Sequence, residues 1–118
     1  MIPSASRREL TAWVLRRRQR LRVSGASMEP TLAEGDVVLV DTSAYASTRP
    51  LDGDVVVAKH PHDLQLRIIK RVEFTDDRGV YLRSDNRNEP AANDSRSFGM
   101  VADKLIIGRV TATTTVRS

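Results

Sequence analysis

Two side chains in this sequence have the chemical type and the surroundings that nucleophilic catalysis requires. The first is Ser27 in "RVSGASMEPTL", where a basic segment gives way to strand-like sequence. This stretch differs from the G-x-S-x-G elbow of esterases, because Glu29 stands where the second glycine would be. A serine hydroxyl is a poor nucleophile at neutral pH, so catalysis needs a base nearby, usually histidine and sometimes a neutral lysine.

The second side chain is Lys70 in "LQLRIIKRVEF". On a β-strand its side chain would share one face with an otherwise apolar row, namely Leu64, Leu66, Ile68, Val72 and Phe74. Burial disfavours the ammonium form and lowers the pKa of a lysine, by as much as about 3–5 units at full burial. The resulting neutral amine could accept the serine proton. A strand lysine whose ammonium group reaches solvent is the alternative that the spacing leaves open.

The two histidines are weaker candidates for the catalytic base. His60 and His62 flank a proline in "KHPHD", which favours an exposed loop over a base held beside a nucleophile. With Asp63 they could be metal ligands, but a further ligand at a suitable spacing is missing. The sequence therefore predicts neither a metal nor a cofactor.

The elements that must position these residues follow from periodicity. Ser6 and Glu9 form a capping box, and the apolar spacing that follows predicts a helix over residues 7–20. Beyond Pro30, short runs rich in valine and isoleucine predict strands, at 36–41, 54–59, 66–74, 79–83 and 104–112. The expected fold is mainly β, one small domain over residues 22–118 behind a basic helical arm over residues 1–21.

Composition narrows the functional classes. The chain has 118 residues, of which 40% are hydrophobic, and it has no cysteine, which excludes disulfides, thiolate metal sites and a cysteine nucleophile. Its longest apolar runs, "VVLV" and "VVVA", are far shorter than the roughly 20 residues of a membrane-spanning helix, and no signal peptide is visible. Seven arginines stand between residues 7 and 22. They indicate either a solvated basic helix or weak contact with an anionic membrane surface. A nucleic-acid-binding module is not expected, because few aromatic residues are available for stacking.

Five stretches together carry a family resemblance. "SGASMEPTL" with "GDVVLV", then "RIIKRV", then "SDNRNEP" and "NDSRSFGMV" resemble, in the same order, the conserved boxes of type I signal peptidases and their relatives in the S24/S26 superfamily. The resemblance implies a signal-peptidase/LexA-like β domain in which Ser27 attacks a peptide carbonyl and the neutral amine of Lys70 is the general base. It also implies an oxyanion hole and substrate groove near the serine, formed by Gly25, Ala26, Met28, Pro30 and Leu32.

The chain departs from this family at two positions. Some members carry a hydroxyl two residues before the nucleophile, where this sequence has Gly25, so the backbone N–H of Ser27 would act alone. Members often have a serine two residues before the aspartate of Asp-Ser-Arg to orient the lysine, and Ala92 stands there. Either Ser95 replaces that hydroxyl or nothing does. Asp94 and Arg96 match a structural ion pair near the site, and a plain surface pair is the alternative.

Within the family, the missing anchor and the stretches "VVVAKHP" and "DSRSFG" resemble the nickel-type superoxide dismutase maturation proteases. The expected partner is then a precursor, such as a nickel superoxide dismutase precursor, that loses an N-terminal leader in the cytoplasm. A signal peptidase held at the membrane surface by its basic helix is the principal alternative. A LexA-like self-cleaving regulator is a weaker one, because the segment before Ser27 is too short for a DNA-binding domain and its linker.

Overall fold

A computed structural model of the protein describes residues 18–90 and 93–114. Its strands are β1 (Arg18–Arg22), β2 (Val37–Asp41), β3 (Val55–His60), β4 (Asp63–Asp76), β5 (Gly79–Arg83) and β6 (Ile106–Thr114). They form one sheet in the order β1-β2-β6-β3-β4-β5, and every pairing is antiparallel. A short helix (Ser95–Phe98) and a 3₁₀ turn (Asp103–Leu105) precede β6. The prediction of a mainly β single domain is confirmed.

The central strands are valine-rich because both faces of the sheet are covered. Side chains of successive strand residues point to opposite faces, and those of β3 enter two different apolar clusters. Val55 and Val57 pack in the first cluster, together with Val23, Met28, Leu32, Val38, Val40 and Val110. Val56 and Ala58 pack in the second, together with Val72, Val80, Leu82 and Val101. Strands buried on both faces read as continuous apolar runs, as "VVLV" and "VVVA" do.

The N-terminal helix was predicted to end at residue 20, and this prediction is wrong. Residues 18–20 begin β1, and the residues before them lie outside the part that the structure describes. Arg18 pairs in register with Asp41 of β2 and forms an ion pair with it at 3.2 Å. Leu21, which had fitted the helical spacing, packs against the first apolar cluster. Strand pairing and core packing therefore override the local helical pattern, and any helical arm ends before the predicted residue 21.

The apolar row predicted around Lys70 is only partly buried. Leu64 and Leu66, at the free end of the β3–β4 hairpin, are 57% and 48% exposed. The register of β4 against β5 shifts between Val72 and Phe74, so that Phe74 lies opposite Tyr81. This bulge places Phe74 on the face opposite to that of Val72, where its ring stacks on Tyr81 with centroids 4.8 Å apart.

Candidate active site

The nucleophile candidate lies on a turn that two buried side chains anchor. Between β1 and β2 the backbone N–H of Glu29 donates to the carbonyl of Ala26 at 3.2 Å, and that of Leu32 donates to Met28 at 2.9 Å. The side chains of Met28 and Leu32 are buried in the first apolar cluster. Ser27 stands beside Met28 and is half-buried. Core packing on one side of the turn thus presents the serine on the other.

Asn86, in the segment after β5, forms two hydrogen bonds to this turn. Its backbone N–H donates to the carbonyl of Ser27 at 2.9 Å. Its side-chain Nδ2 donates to the carbonyl of Ala26, also at 2.9 Å. The two bonds satisfy consecutive carbonyls of the serine turn and restrict its position.

Asp85 links the same segment to the turn and to β4. It accepts a hydrogen bond from Thr31 Oγ1 at 2.6 Å and a pair of bonds from Arg71, each of 2.8 Å. Burial raises the pKa of Asp85, but the bonds from Arg71 and Thr31 outweigh it and hold the pKa below its usual value. Asp85 therefore stays ionised and joins three segments around the serine.

Lys70 is buried in the sheet, with only 4% of its surface exposed. It pairs with Val56 of β3. Burial lowers the pKa of the lysine because the ammonium form loses its hydration. The negative charges of Asp94 and Glu89 oppose this effect in part, and the charge of Arg96 adds to it. The net direction favours the neutral amine that a general base requires.

Ser27 and Lys70 line the same pocket, which has a volume of about 380 Å³. One wall is residues 21–28, and the other is residues 66–70 of β4. His60, Glu89 and Asn93 complete the lining. A hydroxyl and a buried lysine that open on one cavity can act together on a carbonyl bound there.

An open hydrogen-bond donor lies beside the serine hydroxyl. Within the described residues, the backbone N–H of Ser27 donates to no other group. The N–H of Gly25 is already bonded to Glu34 Oε1 at 3.1 Å. Gly25 has φ +81°, a conformation that side-chain-bearing residues rarely adopt. The position where some family members carry a hydroxyl is thus suited to glycine here, and Ser27 N–H is the donor left for an oxyanion.

Of the other residues expected in the substrate groove, some line the pocket and some do not. Ala26 and Met28 line the pocket together with Gly25, although Met28 is 1% exposed and packs mainly in the core. Pro30 is exposed and is not among the lining residues. Leu32 is not among them either, because its side chain is completely buried in the first apolar cluster. In this position Leu32 anchors the turn to the core.

Asp94 and Arg96 form a pair of which one member is completely buried. Arg96 Nε lies 2.9 Å from Asp94, whose side chain has no exposed surface. Asp94 also accepts from the backbone N–H groups of Ser84 and Arg96 at 3.0 Å. Burial raises the pKa of this carboxyl, but the bonds from Arg96 and Ser84 hold it below its usual value. The burial of Asp94 favours a structural ion pair over a plain surface pair, and the charges of both residues act on Lys70.

Ser95 and the two histidines have structural contacts. Ser95 Oγ is buried and accepts from the backbone N–H of Leu82 at 2.8 Å. His60 packs edge-on against Phe98, with centroids 4.8 Å apart, and its Nδ1 accepts from the backbone N–H of His62. No group of three or more potential metal ligands occurs within residues 18–90 and 93–114. Thr31, Asp85 and Asn86 were not predicted as site residues, although all three stand in the quoted boxes.

Comparison with known proteins finds a peptidase family and individual peptidases. The model of the Peptidase S24-like family matches residues 14–111. Signal peptidase I of Aquifex aeolicus is 41% identical over 46% of this chain and 21% of its own length. Mitochondrial inner membrane protease subunit 1 is 33% identical in Xenopus tropicalis and 30% in Mus musculus, each over 74% of this chain and 63% of the relative. The chain thus spans less than two thirds of the length of these relatives. Among the described residues, no helix combines the length and apolarity needed to cross a membrane.

Proposed function

Since this chain belongs to the Peptidase S24-like family, we propose that it is a serine endopeptidase in which Ser27 and Lys70 form the catalytic dyad. The observation that carries the proposal is that both residues line one pocket while burial lowers the pKa of the lysine. The similarity to signal peptidase I supports the same class of reaction.

The chemistry follows from the groups in the pocket. The lone pair of the neutral Lys70 amine accepts the proton of Ser27 Oγ as that oxygen attacks the substrate carbonyl. The oxyanion that forms accepts a hydrogen bond from the backbone N–H of Ser27, and such a preorganised donor is worth about 3 kcal/mol of transition-state stabilisation. The Lys70 ammonium then gives its proton to the leaving amine, and water hydrolyses the acyl-enzyme by the same base.

The edge of β4 provides a place for an extended substrate. β5 pairs with β4 only from Arg71 onward, so among the described residues the half of β4 before Arg71 pairs with β3 alone. Residues 66–70 of that half line the pocket. A peptide added at a free strand edge gains main-chain hydrogen bonds whatever its sequence. Small residues are expected beside the scissile bond, as the family resemblance implies.

The substrate we propose is a precursor with an N-terminal leader, specifically that of a nickel superoxide dismutase processed in the cytoplasm. The resemblance of "VVVAKHP" and "DSRSFG" to the maturation proteases supports this choice. A second candidate is a leader peptidase acting at a membrane surface. Leu64 and Leu66 favour it, because both are exposed on the β3–β4 hairpin next to the exposed Arg67, and apolar side chains beside a cation suit an anionic interface.

One experiment separates these alternatives. The purified protein is incubated with a nickel superoxide dismutase precursor and with a secretory preprotein, with and without vesicles containing an anionic phospholipid. New amino termini are read by mass spectrometry. We expect lipid-independent cleavage of the dismutase precursor. Cleavage of the preprotein alone, or only with vesicles, would favour the membrane candidate.

The dyad is tested in the same assay. Ser27→Ala and Lys70→Ala should abolish cleavage while the far-UV circular dichroism spectrum stays that of the wild type. Lys59→Ala is the matched control, because Lys59 is an exposed lysine of the neighbouring strand β3. Turnover by a folded Ser27→Ala or Lys70→Ala protein would refute the dyad.

A further inference from the structure

The side chain of Ser84, the residue that follows β5, is buried in the fold. Its Oγ has no hydrogen-bond partner within the described residues, and the residue is only 9% exposed. The backbone N–H of Ser84 donates to Asp94 Oδ2 at 3.0 Å, which fixes the residue at the end of β5. Buried polar groups are nearly always hydrogen-bonded, so an isolated buried hydroxyl requires an explanation.

The end of the β4–β5 register brings Ser84 near the strand of Lys70. Arg71 pairs with Arg83 and Val72 with Leu82. The pairing ends at Arg71 and Arg83, and extending the same register by one residue would set Ser84 opposite Lys70. Residues directly opposite in an antiparallel pair have their side chains on the same face, with Cβ atoms about 5 Å apart. The burial of both residues agrees with this shared face.

The other hydroxyls of this region are already engaged or are exposed. Ser95 Oγ accepts from the backbone N–H of Leu82. Thr31 Oγ1 donates to Asp85. Ser24 lines the pocket but is exposed. Among the described residues of the pocket region, Ser84 is therefore the buried hydroxyl that remains available to the lysine.

We propose that Ser84 is the positioning residue of Lys70, in the place of the hydroxyl that Ala92 cannot supply. This inference rests on the proposed dyad. Ser84 Oγ has no partner in the structure, so the contact forms when the Lys70 amine turns towards it. Ser84 Oγ then accepts one N–H of that amine, which directs the nitrogen lone pair at Ser27 Oγ. When the amine has taken the serine proton, the same N–H bond to Ser84 holds the ammonium until the proton passes to the leaving amine.

The test compares three serine-to-alanine variants in the precursor-cleavage assay. Ser84→Ala should lower kcat by about 10- to 100-fold, because a misdirected base loses its alignment, and should leave KM within about twofold. Ser97→Ala, an exposed hydroxyl of the short helix, should match the wild type. If Ser95→Ala lowers kcat and Ser84→Ala does not, the assignment to Ser84 is overturned. Should Ser84→Ala not fold, Ser84→Cys keeps the volume while replacing the strong acceptor.

A second readout does not depend on proteolysis. The Lys70 side chain is titrated by NMR of lysine labelled with ¹³C at Cε, with Lys70→Met identifying its signal. Loss of an acceptor for the ammonium should move the Lys70 midpoint to lower pH in Ser84→Ala and leave it unchanged in Ser97→Ala. An unmoved midpoint overturns the proposed contact. If the wild type cleaves no precursor but the midpoint moves, the contact stands and the proposed function fails. If Ser27→Ala is inactive while Ser84→Ala retains full kcat, the dyad stands and the role of Ser84 fails.

Discussion

The backbone N–H of Asn86 donates to the carbonyl oxygen of Ser27 at 2.9 Å. The two residues are far apart in the sequence, yet this bond and the side-chain bond from Asn86 to Ala26 tie the segment after β5 to the serine turn. That segment begins with Ser84, which directly follows Arg83, the residue paired with Arg71 of β4. The same stretch of chain therefore contacts the turn of the nucleophile and approaches the strand of the base.

Removal of this link should impair catalysis more than stability. Asn86→Ala loses the bond to the Ala26 carbonyl, so we expect kcat to fall by about tenfold or more and the free energy of unfolding to fall by about 1 kcal/mol. Steady-state kinetics and urea denaturation measure the two effects. Asn88→Ala, an exposed asparagine of the same segment, is the control. Equal losses of kcat in both variants would contradict a positioning role for Asn86.

The pH dependence of cleavage should follow the neutral form of Lys70. Because burial lowers the pKa of this amine, kcat/KM should rise with pH and level off below the usual lysine pKa of about 10.4. Lys70→Arg should be inactive over the whole range, since arginine remains protonated. Initial rates between about pH 5 and pH 10 test this prediction. A pH-independent rate would exclude a lysine base.

Lys70 should also make the stability of the fold depend on pH. Between its lowered pKa in the folded state and its ordinary pKa in the unfolded chain, the unfolded chain binds one proton more. The free energy of unfolding should therefore rise with pH across this window and become constant above it. Urea denaturation of the wild type and of Lys70→Met at a series of pH values isolates this contribution as a difference. A difference that does not change with pH would show that the lysine pKa is unshifted.

The buried ion pair should be far more important to stability than an exposed pair of the same spacing. Asp94→Asn replaces a completely buried carboxylate that accepts from Arg96 and from the backbone N–H of Ser84, and we expect a loss of about 2 kcal/mol in the free energy of unfolding at neutral pH. Asp76 and Arg78 have the same i, i+2 spacing, but the Asp76 side chain is 34% and that of Arg78 71% exposed, so Asp76→Asn should change little. The contribution of Asp94 should disappear as the pH falls through its lowered folded-state pKa. Similar losses in both variants would refute this distinction.

Leu32 should behave as a core residue and not as part of the groove. Leu32→Ala creates a cavity in the first apolar cluster and should cost about 2–5 kcal/mol in the free energy of unfolding, while KM of the folded fraction stays the same. Leu51→Ala is the control, because Leu51 is 67% exposed. A large rise in KM without a loss of stability would return Leu32 to the substrate groove.

The local sequence predicted the strands, but it did not predict how they pair or how they position the site residues. Each valine run from "VVLV" onward became a strand because such runs suit positions buried on both faces. The helix was wrongly predicted to include residues 18–20, because these residues pair with β2, which lies further along the chain than the helical spacing covers. The displacement of Phe74 arose from a bulge, which the alternation of side chains does not reveal.

The sequence by itself determined the chemical types, a serine in a turn and a lysine in a largely apolar strand, because these depend on residues adjacent in the chain. Only the tertiary structure decided which groups surround them. Burial at 4% exposure lowers the Lys70 pKa, Asn86 bonds to the serine turn, and the sheet register pairs Arg83, just before Ser84, with Arg71, just after Lys70. The physical reason is that desolvation and hydrogen-bond geometry depend on distances between segments far apart in sequence, which residue spacing along one segment does not specify.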